Sequence, residues 1–383
     1  MFSVSLARTG SVKAVSEKID ANGAIQAELV EMEVSAETIK VTHSKLDDFL
    51  CWIERRRHDS NLRLETHHNI SDEWLKHYIN DYLILDKGAS ETSANQAVMA
   101  LKFYYNWLAA AGLTTTKKIS IAPNMRQTAR SQLKSRLAVK YITPELRGIL
   151  YSHAACLRDE AILRCGGEIG VRSKEVRGFT LNDFNYGRSK KHLGLLSLFT
   201  KLDEEKSRQS FAFLLRGTYT KAKKYSGGKA RWVYINRDLL TLMRRYYNEE
   251  RPKSDCDSFF LTNSTNCKAC PISERQGTRT FADIRKAVIN KQVEGFFPSH
   301  IQALEDEHTF HVLRHSFGTD TFHRLAIEDG LDVDNITPTS RAYLATAELL
   351  GHESRGKAVP ETTAMYIRLC HIKMQLLEVG THS

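Results

Sequence analysis

His308-Thr-Phe-His-Val-Leu-Arg-His-Ser-Phe-Gly-Thr-Asp320 combines basic side chains and apolar residues at helical spacing. Taken as a helix, it sets His311 and Arg314 on one face, because residues three apart are neighbours on a helix surface. Phe310, Leu313 and Phe317 recur at three and four, and can bury the other side. An imidazole and a guanidinium held side by side on a rigid element can grip one anionic oxygen. Arginine supplies always-charged donors in a planar fork, while histidine donates or accepts near neutral pH. A solvated helix face with a chance His and Arg has the same local pattern, so the rest of the chain must decide.

The chain has 383 residues, enough for two or three domains. Apolar residues make up 42% and charged residues 26%, a globular rather than a disordered balance. Lys plus Arg outnumber Asp plus Glu by 55 to 45, which favours a polyanionic partner, nucleic acid first. Seven cysteines, an odd number with no framework spacing, suggest a reducing compartment. Cys267-Lys-Ala-Cys270 reads as reduced loop thiols, since a structural zinc needs two further ligands at suitable spacing. No metal and no cofactor is expected. The N-terminus lacks the apolar core of a signal peptide, and no run of about 18 apolar residues suggests a membrane span. A cytoplasmic, nucleoid-associated protein with no membrane partner is the expectation.

Residues 1–35 are an N-terminal extension of unassigned role, with Ile25 to Val34 a short strand or helix. From Ala36 to residue 115 the pattern is helical. Leu46, Phe49, Leu50 and Ile53 keep helical spacing. Ser71 precedes Asp72-Glu73-Trp74 as an N-cap with acids in the first turn. A third helix runs from Ser93 to a stop near Gly112. Its aromatics follow the helical period and are expected in a core rather than stacked on bases. From Thr92 to Pro144 there is no acidic residue, while Lys102, Lys117, Lys118, Arg126, Arg130, Lys134, Arg136 and Lys140 fall in that span. Such a run gains from counterion release on a duplex. Residues 116–142 are therefore read as a basic linker that touches DNA.

Thr143-Pro144-Glu145 is a helix start, with Pro at the first helical position. It opens a second domain, residues 143–383. Arg172 follows Gly170, which ends a helix, and Glu175 lies three residues on. Leu195–Phe199, Phe211–Leu215 and Trp232–Ile235 are strand-like. Ser226-Gly227-Gly228 reads as the turn of a hairpin bearing Arg216, Lys221, Lys223, Lys224, Lys229 and Arg231. Helices follow at Leu239–Tyr247, Thr280–Val288 and Ser340–Leu350. The last ends at Gly351 before His352, and a final helix holds Thr362 to Leu369.

Taken in order, Gly-Val-Arg172-Ser-Lys-Glu175, the basic hairpin, His311-Val-Leu-Arg314-His-Ser-Phe, Leu-Leu-Gly-His352 and Thr-Thr-Ala-Met-Tyr366 resemble the catalytic domain of the tyrosine recombinases of phage-integrase type. The helical domain and linker before them resemble that family's core-binding domain. The resemblance runs from about Ala36 to Leu377. It implies a mainly α fold with a small antiparallel β-hairpin, two domains clamping a DNA duplex, and strand exchange through a 3′-phosphotyrosyl bond. Tyr366 would be the nucleophile. Arg172 and Arg314 would neutralise the extra charge of a five-coordinate phosphorane. His311 would assist deprotonation, His352 would donate to a non-bridging oxygen, and Glu175 would orient its neighbours. A hairpin lysine, Lys221 with Lys224 as the alternative, would protonate the leaving oxygen. Double-stranded DNA, a tetramer on paired sites and an accessory DNA-bending or directionality protein are the implied partners. The tail with Ile372, Met374, Leu376 and Leu377 is expected to dock on a neighbouring subunit. His352 and Tyr366 lie further apart than is usual in the family, by an insertion near 355–360, and a second insertion falls near 327–338. Type IB topoisomerases and telomere resolvases share the nucleophile and the cationic pocket, and stay open as alternatives. So does a DNA-binding protein that has lost catalysis.

Overall fold

Polar caps start several helices where the sequence marks them. Ser71 accepts from the Trp74 amide at 3.4 Å, and Thr143 from the Leu146 amide at 3.3 Å, with Pro144 at the first helical position. Each cap satisfies an amide that the helix itself leaves unpaired. The computed structural model describes residues 1–19, 25–58, 67–131, 140–187, 190–220, 228–264, 267–352 and 359–381. They form two compact units, Met1–Ser135 and, from Arg136, the segments Arg136–Lys221 and Gly228–Ser383.

The first unit comprises α1 (Phe2–Thr9), a β-hairpin of β1 (Ser11–Ile19) and β2 (Ile25–Glu33), α2 (Ala36–His58), α3 (Asp72–His77), α4 (Glu91–Ala110) and α5 (Pro123–Ser131). Helix α3 continues as wider π-helical turns over Tyr78–Asp86. Residues 1–35 thus hold a helix and an antiparallel hairpin, with Ser11 opposite Glu33. Phe2, Leu6 and Val12 join the same core as Phe49, Trp52, Tyr78, Leu101 and Tyr105. The aromatics pack on one another, Phe49 edge-on to Tyr78 at 4.9 Å. They fill a core, as their period requires. Part of the stretch read as linker is also in this core: Ile119, Ile121 and Ala129 are buried there.

The second unit comprises α6 (Pro144–Ser152), α7 (Leu157–Ile169), β3 (Phe184–Tyr186), β4 (Lys190–His192), α8 (Leu195–Glu204), β5 (Ser210–Leu215), β6 (Arg231–Asn236), α9 (Arg237–Glu249), α10 (Gln276–Val293), α11 (Phe310–Glu328), α12 (Arg341–Leu350) and α13 (Val359–Thr381). Strands β5 and β6 pair antiparallel from Ser210↔Asn236 to Leu215↔Arg231. Helix α11, which carries His311 and Arg314, serves two cores. Phe310, Val312 and Leu313 enter the larger one, and Phe322, Leu325 and Ala326 the smaller. The smaller core is completed by Tyr343, Ala347 and Leu350 of α12 and by Tyr366 and Cys370 of α13.

Two expectations change. Leu195–Phe199 is helical, not a strand. Leu195, Leu198, Phe199 and Leu202 are buried at spacings of three and four, a helical stripe that outweighs the β-like local run. Cys267 and Cys270 are disulfide-bonded, because a turn with Ala269 in the left-handed region brings their Cα atoms to 5.8 Å. The tail after Tyr366 packs partly on its own chain: Cys370 is buried, and Lys373 Nζ reaches Asp320 at 2.8 Å. The short pair β3–β4 has no counterpart in the sequence pattern. Ser226 and Gly227, read as the hairpin turn, lie outside the described residues, as does most of the insertion at 355–360. Near 327–338, Val333 and Ile336 add to the smaller core.

Candidate active site

Two helix ends build the floor of the site. Helix α7 stops at Gly170 (φ 65°) and α12 at Gly351 (φ 62°), both left-handed caps that suit glycine. The last carbonyls of a helix are unpaired and lie at its negative end. Here they meet arginines. Arg314 of α11 donates to the carbonyls of Gly170 and Leu350. Arg231, at the start of β6, donates to the Leu349 carbonyl at 2.6 Å and more weakly to that of Gly170 at 3.4 Å. Neither glycine has room for a side chain: a Cβ on Gly351 would lie 2.7 Å from Arg231 Cδ, and one on Gly170 would strike the Phe317 ring.

A carboxylate ties the cations together. Glu175, wholly buried in a 3₁₀ turn, accepts from Arg172 Nη1 at 2.7 Å and from the Arg172 amide at 2.8 Å. Its other partners are Arg231 Nη2 at 2.7 Å and Arg314 Nη1 at 3.6 Å. Burial alone would raise its pKa, but Arg231, then Arg314 and Arg172, bring it down to about 2. Arg314 is held in turn below the usual guanidinium range, at about 9, by burial and by Arg172. Three guanidiniums around one carboxylate leave the pocket with two uncompensated positive charges. Such a cluster is costly without an anion.

The phenol sits one turn along α11. Gly318 follows Arg314 by four residues and so shares its face. A Cβ there would lie 2.9 Å from Tyr366 Oη and 2.8 Å from its Cε1. Glycine at 318 thus admits the ring against the helix, and Tyr366 is only 1% exposed. The ring also stacks on Phe322 of the same helix, with centroids 5.6 Å apart. Burial pushes the Tyr366 hydroxyl above the ordinary phenol range, with Arg314 and Arg172 pulling the other way. It is a protonated phenol at neutral pH, within the field of both arginines.

His311 and His352 complete the group. Desolvation, then Arg314 and Arg172, lower His311 to about 4 and His352 to about 3. The His311 side chain still reaches solvent. Both rings are neutral near pH 7, each with one donor and one acceptor nitrogen. Among the described residues His352 Nδ1 is buried without a hydrogen-bond partner.

The structure therefore brings Arg172, Glu175, Arg314 and Tyr366 together, with His311 and His352 in the field of the same arginines. Lys221 and Lys224 lie outside the described residues, as do Lys134 and Arg136. Lys140 is exposed in the second unit. In the first unit Lys118 and Arg126 are exposed and Lys117 half-buried. Arg126 and Arg130 line an open groove with Ile121, Pro123 and Gln127. Arg130 is already paired, Nε to Glu91 at 2.7 Å. That acid lies one residue before the acid-free span, so counting within the span misses it.

Two residues escape the sequence reading. Arg231 falls there among the DNA-facing hairpin cations, yet β6 alternates Arg231, Val233 and Ile235 inward with Trp232 and Tyr234 outward. The period of two carries the signal. His315 packs edge-on to His311 at 4.6 Å, and burial, then His311, lower it to about 3.

Among the described residues no group of His, Cys, Asp or Glu is arranged to hold a metal ion, and no helix is long and apolar enough to cross a membrane. No protein-family profile matches the chain, and no curated protein sequence matches it. Solved structures do resemble it. XerA recombinase shares 19% identity at a TM-score of 0.38, covering 91% of this chain and 93% of that one. The Tn1549 transposon integrase with transposon right-end DNA shares 16% at 0.47, covering 88% and 99%. A lambda integrase dimer bound to a core site shares 16% at 0.44, covering 87% and 89%.

Proposed function

We propose that this chain is a site-specific DNA recombinase that cleaves and rejoins duplex DNA through a 3′-phosphotyrosyl intermediate, in the service of a mobile element. One observation carries the reading: a cluster of three guanidiniums held by a single buried carboxylate, with a buried phenol one helical turn away. A scissile phosphodiester supplies the missing negative charge. Its non-bridging oxygens take donors from Arg172 and Arg314, which gain as the phosphorane forms. Tyr366 Oη attacks phosphorus, and the bond to the 5′-oxygen breaks. His311, neutral and open to solvent, assists removal of the phenol proton, while His352 donates to a non-bridging oxygen. A hairpin lysine, Lys221 or Lys224, protonates the departing 5′-oxygen. The reverse attack by a 5′-hydroxyl on the phosphotyrosine reseals a strand, so no ATP is consumed. Lys117, Lys118, Arg126, Lys134, Arg136 and Lys140 add sequence-independent affinity through phosphate contacts. Paired sites and a tetramer of this chain are the proposed working assembly, with an accessory DNA-bending protein as a further partner.

The test uses nicked suicide duplexes tiling the DNA that flanks the coding sequence, resolved on a denaturing gel. The wild-type protein should give a band of raised mass that Tyr366→Phe does not. A shifted band that persists in Tyr366→Phe would remove Tyr366 as nucleophile. Relaxation of supercoiled DNA without site preference would favour a topoisomerase instead.

A further inference from the structure

Building on the reading of Tyr366 as nucleophile, we propose that Arg231 is a positioning residue for cleavage, clamping the turn that carries His352 to the carboxylate that aims Arg172. A cation at the end of a hairpin strand ordinarily extends into water. Arg231 is instead 7% exposed and turned inward. Its fork spans two elements that the chain brings together from far apart. One arm takes the Leu349 carbonyl, three residues before His352, at 2.6 Å. The other takes Glu175 Oε2 at 2.7 Å. Its stem lies over Gly351, where a Cβ would approach Cδ to 2.7 Å. The side chain is thus a wedge between the left-handed turn and the carboxylate.

Each of these bonds has a consequence for the pocket. With Oε2 engaged by Arg231 and by the Arg172 amide at 2.8 Å, Oε1 is left to Arg172 Nη1 at 2.7 Å. Without Arg231, Oε2 keeps the Arg172 amide at 2.8 Å and, further off, Arg314 Nη1 at 3.6 Å, so the carboxylate loses its closest guanidinium on that side and holds the plane that aims Arg172 less firmly. The Leu349 carbonyl loses this donor at the same time, and the turn leading to His352 is then held from across the pocket by the Arg314 bond to Leu350. A lysine carries the charge but has no planar fork, so it can serve one arm and not both.

The experiment compares full-length wild type, R231K, R231M, E175Q and the double variant R231M/E175Q. Each is measured for thermal melting, for duplex affinity and for the single-turnover rate of adduct formation on the nicked duplexes described above. R231M should lower the cleavage rate roughly 10- to 100-fold, the size seen when groups that orient a site's ligands are removed. Duplex affinity should hold, and R231K should recover part of the rate. If Arg231 acts through Glu175, the double variant should fall no further than E175Q alone. Should R231M fail to fold, the same cycle is run with R231K and R231K/E175Q. A wild-type rate in the Arg231 variants, losses that multiply in the double variant, or a rate that falls only in step with affinity would each overturn the proposal. A wild-type protein that forms no adduct on any duplex would instead overturn the assignment of the nucleophile.

Discussion

Arg314 and Arg231 in the second unit carry the same charge as Lys118 and Arg126 in the first, in opposite surroundings. The first two are buried, each bonded to helix-end carbonyls and drawn to one carboxylate. The other two are exposed. A buried cation must be desolvated, so it persists only where oxygen partners fix it, and its direction is then set. An exposed cation keeps its water and supplies charge without direction. The first kind suits a transition state, whose charge appears at defined atoms. The second suits a uniform polyanion.

The comparison is tested most severely by removing a cation of the pocket. Arg172→Ala or Arg314→Ala should lower cleavage by about 10²- to 10³-fold, the usual cost of deleting a transition-state donor, while duplex affinity is largely kept. Gel-shift titration beside a single-turnover assay separates the two, and equal losses in both would erase the distinction. Gly318→Ala comes next. Its methyl would meet Tyr366 Oη at 2.9 Å, so the phenol must move. Misplacement of a reacting group can cost about 100-fold in rate. Overpacking should cost about 1–3 kcal/mol of stability, read by denaturant melts. Unchanged rate and melting would mean that the ring is not seated against α11.

Acid should act through Glu175. Its folded pKa of about 2 lies below the ordinary carboxylate value, so its contribution is present above the unfolded pKa. It fades as pH falls from about 4 toward 2. Wild type should lose about 2 kcal/mol more than Glu175→Gln over that window, since each pKa unit is worth about 1.4 kcal/mol. Parallel pH profiles would mean that the carboxylate is not held by its arginines. The smallest effect falls on the exposed set. Lys118→Ala or Arg126→Ala should flatten the salt dependence of duplex binding by about 0.9 in log–log slope for each phosphate no longer neutralised. Arg130→Ala should change it less, because Glu91 already pairs that side chain. Equal slopes for all three would take this surface out of the DNA interface.

Much of this could be read from local pattern. Helical spacing marked α2, α4 and α11, and Ser71 and Thr143 marked helix starts, because caps and apolar stripes are local features. Gly170 and Gly351 were legible as helix ends for the same reason. The hidden parts depend on distant partners. Nothing near Arg231 in sequence names Glu175 or Leu349, although its inward register in β6 was there to be counted. Nothing near Arg130 within the acid-free span points back to Glu91. Leu195–Phe199 misled because a short apolar run fits strand or helix, and only Leu202 beyond it breaks the tie. Cys267 and Cys270 needed the backbone of their turn, which residue type alone does not supply.

The most direct measurement is to digest the trapped protein–DNA adduct with trypsin and nuclease and locate the residual nucleotide by mass spectrometry. The nucleotide is expected on Tyr366, in the peptide that ends at Arg368. A nucleotide on Tyr343, or on any other residue, would contradict it.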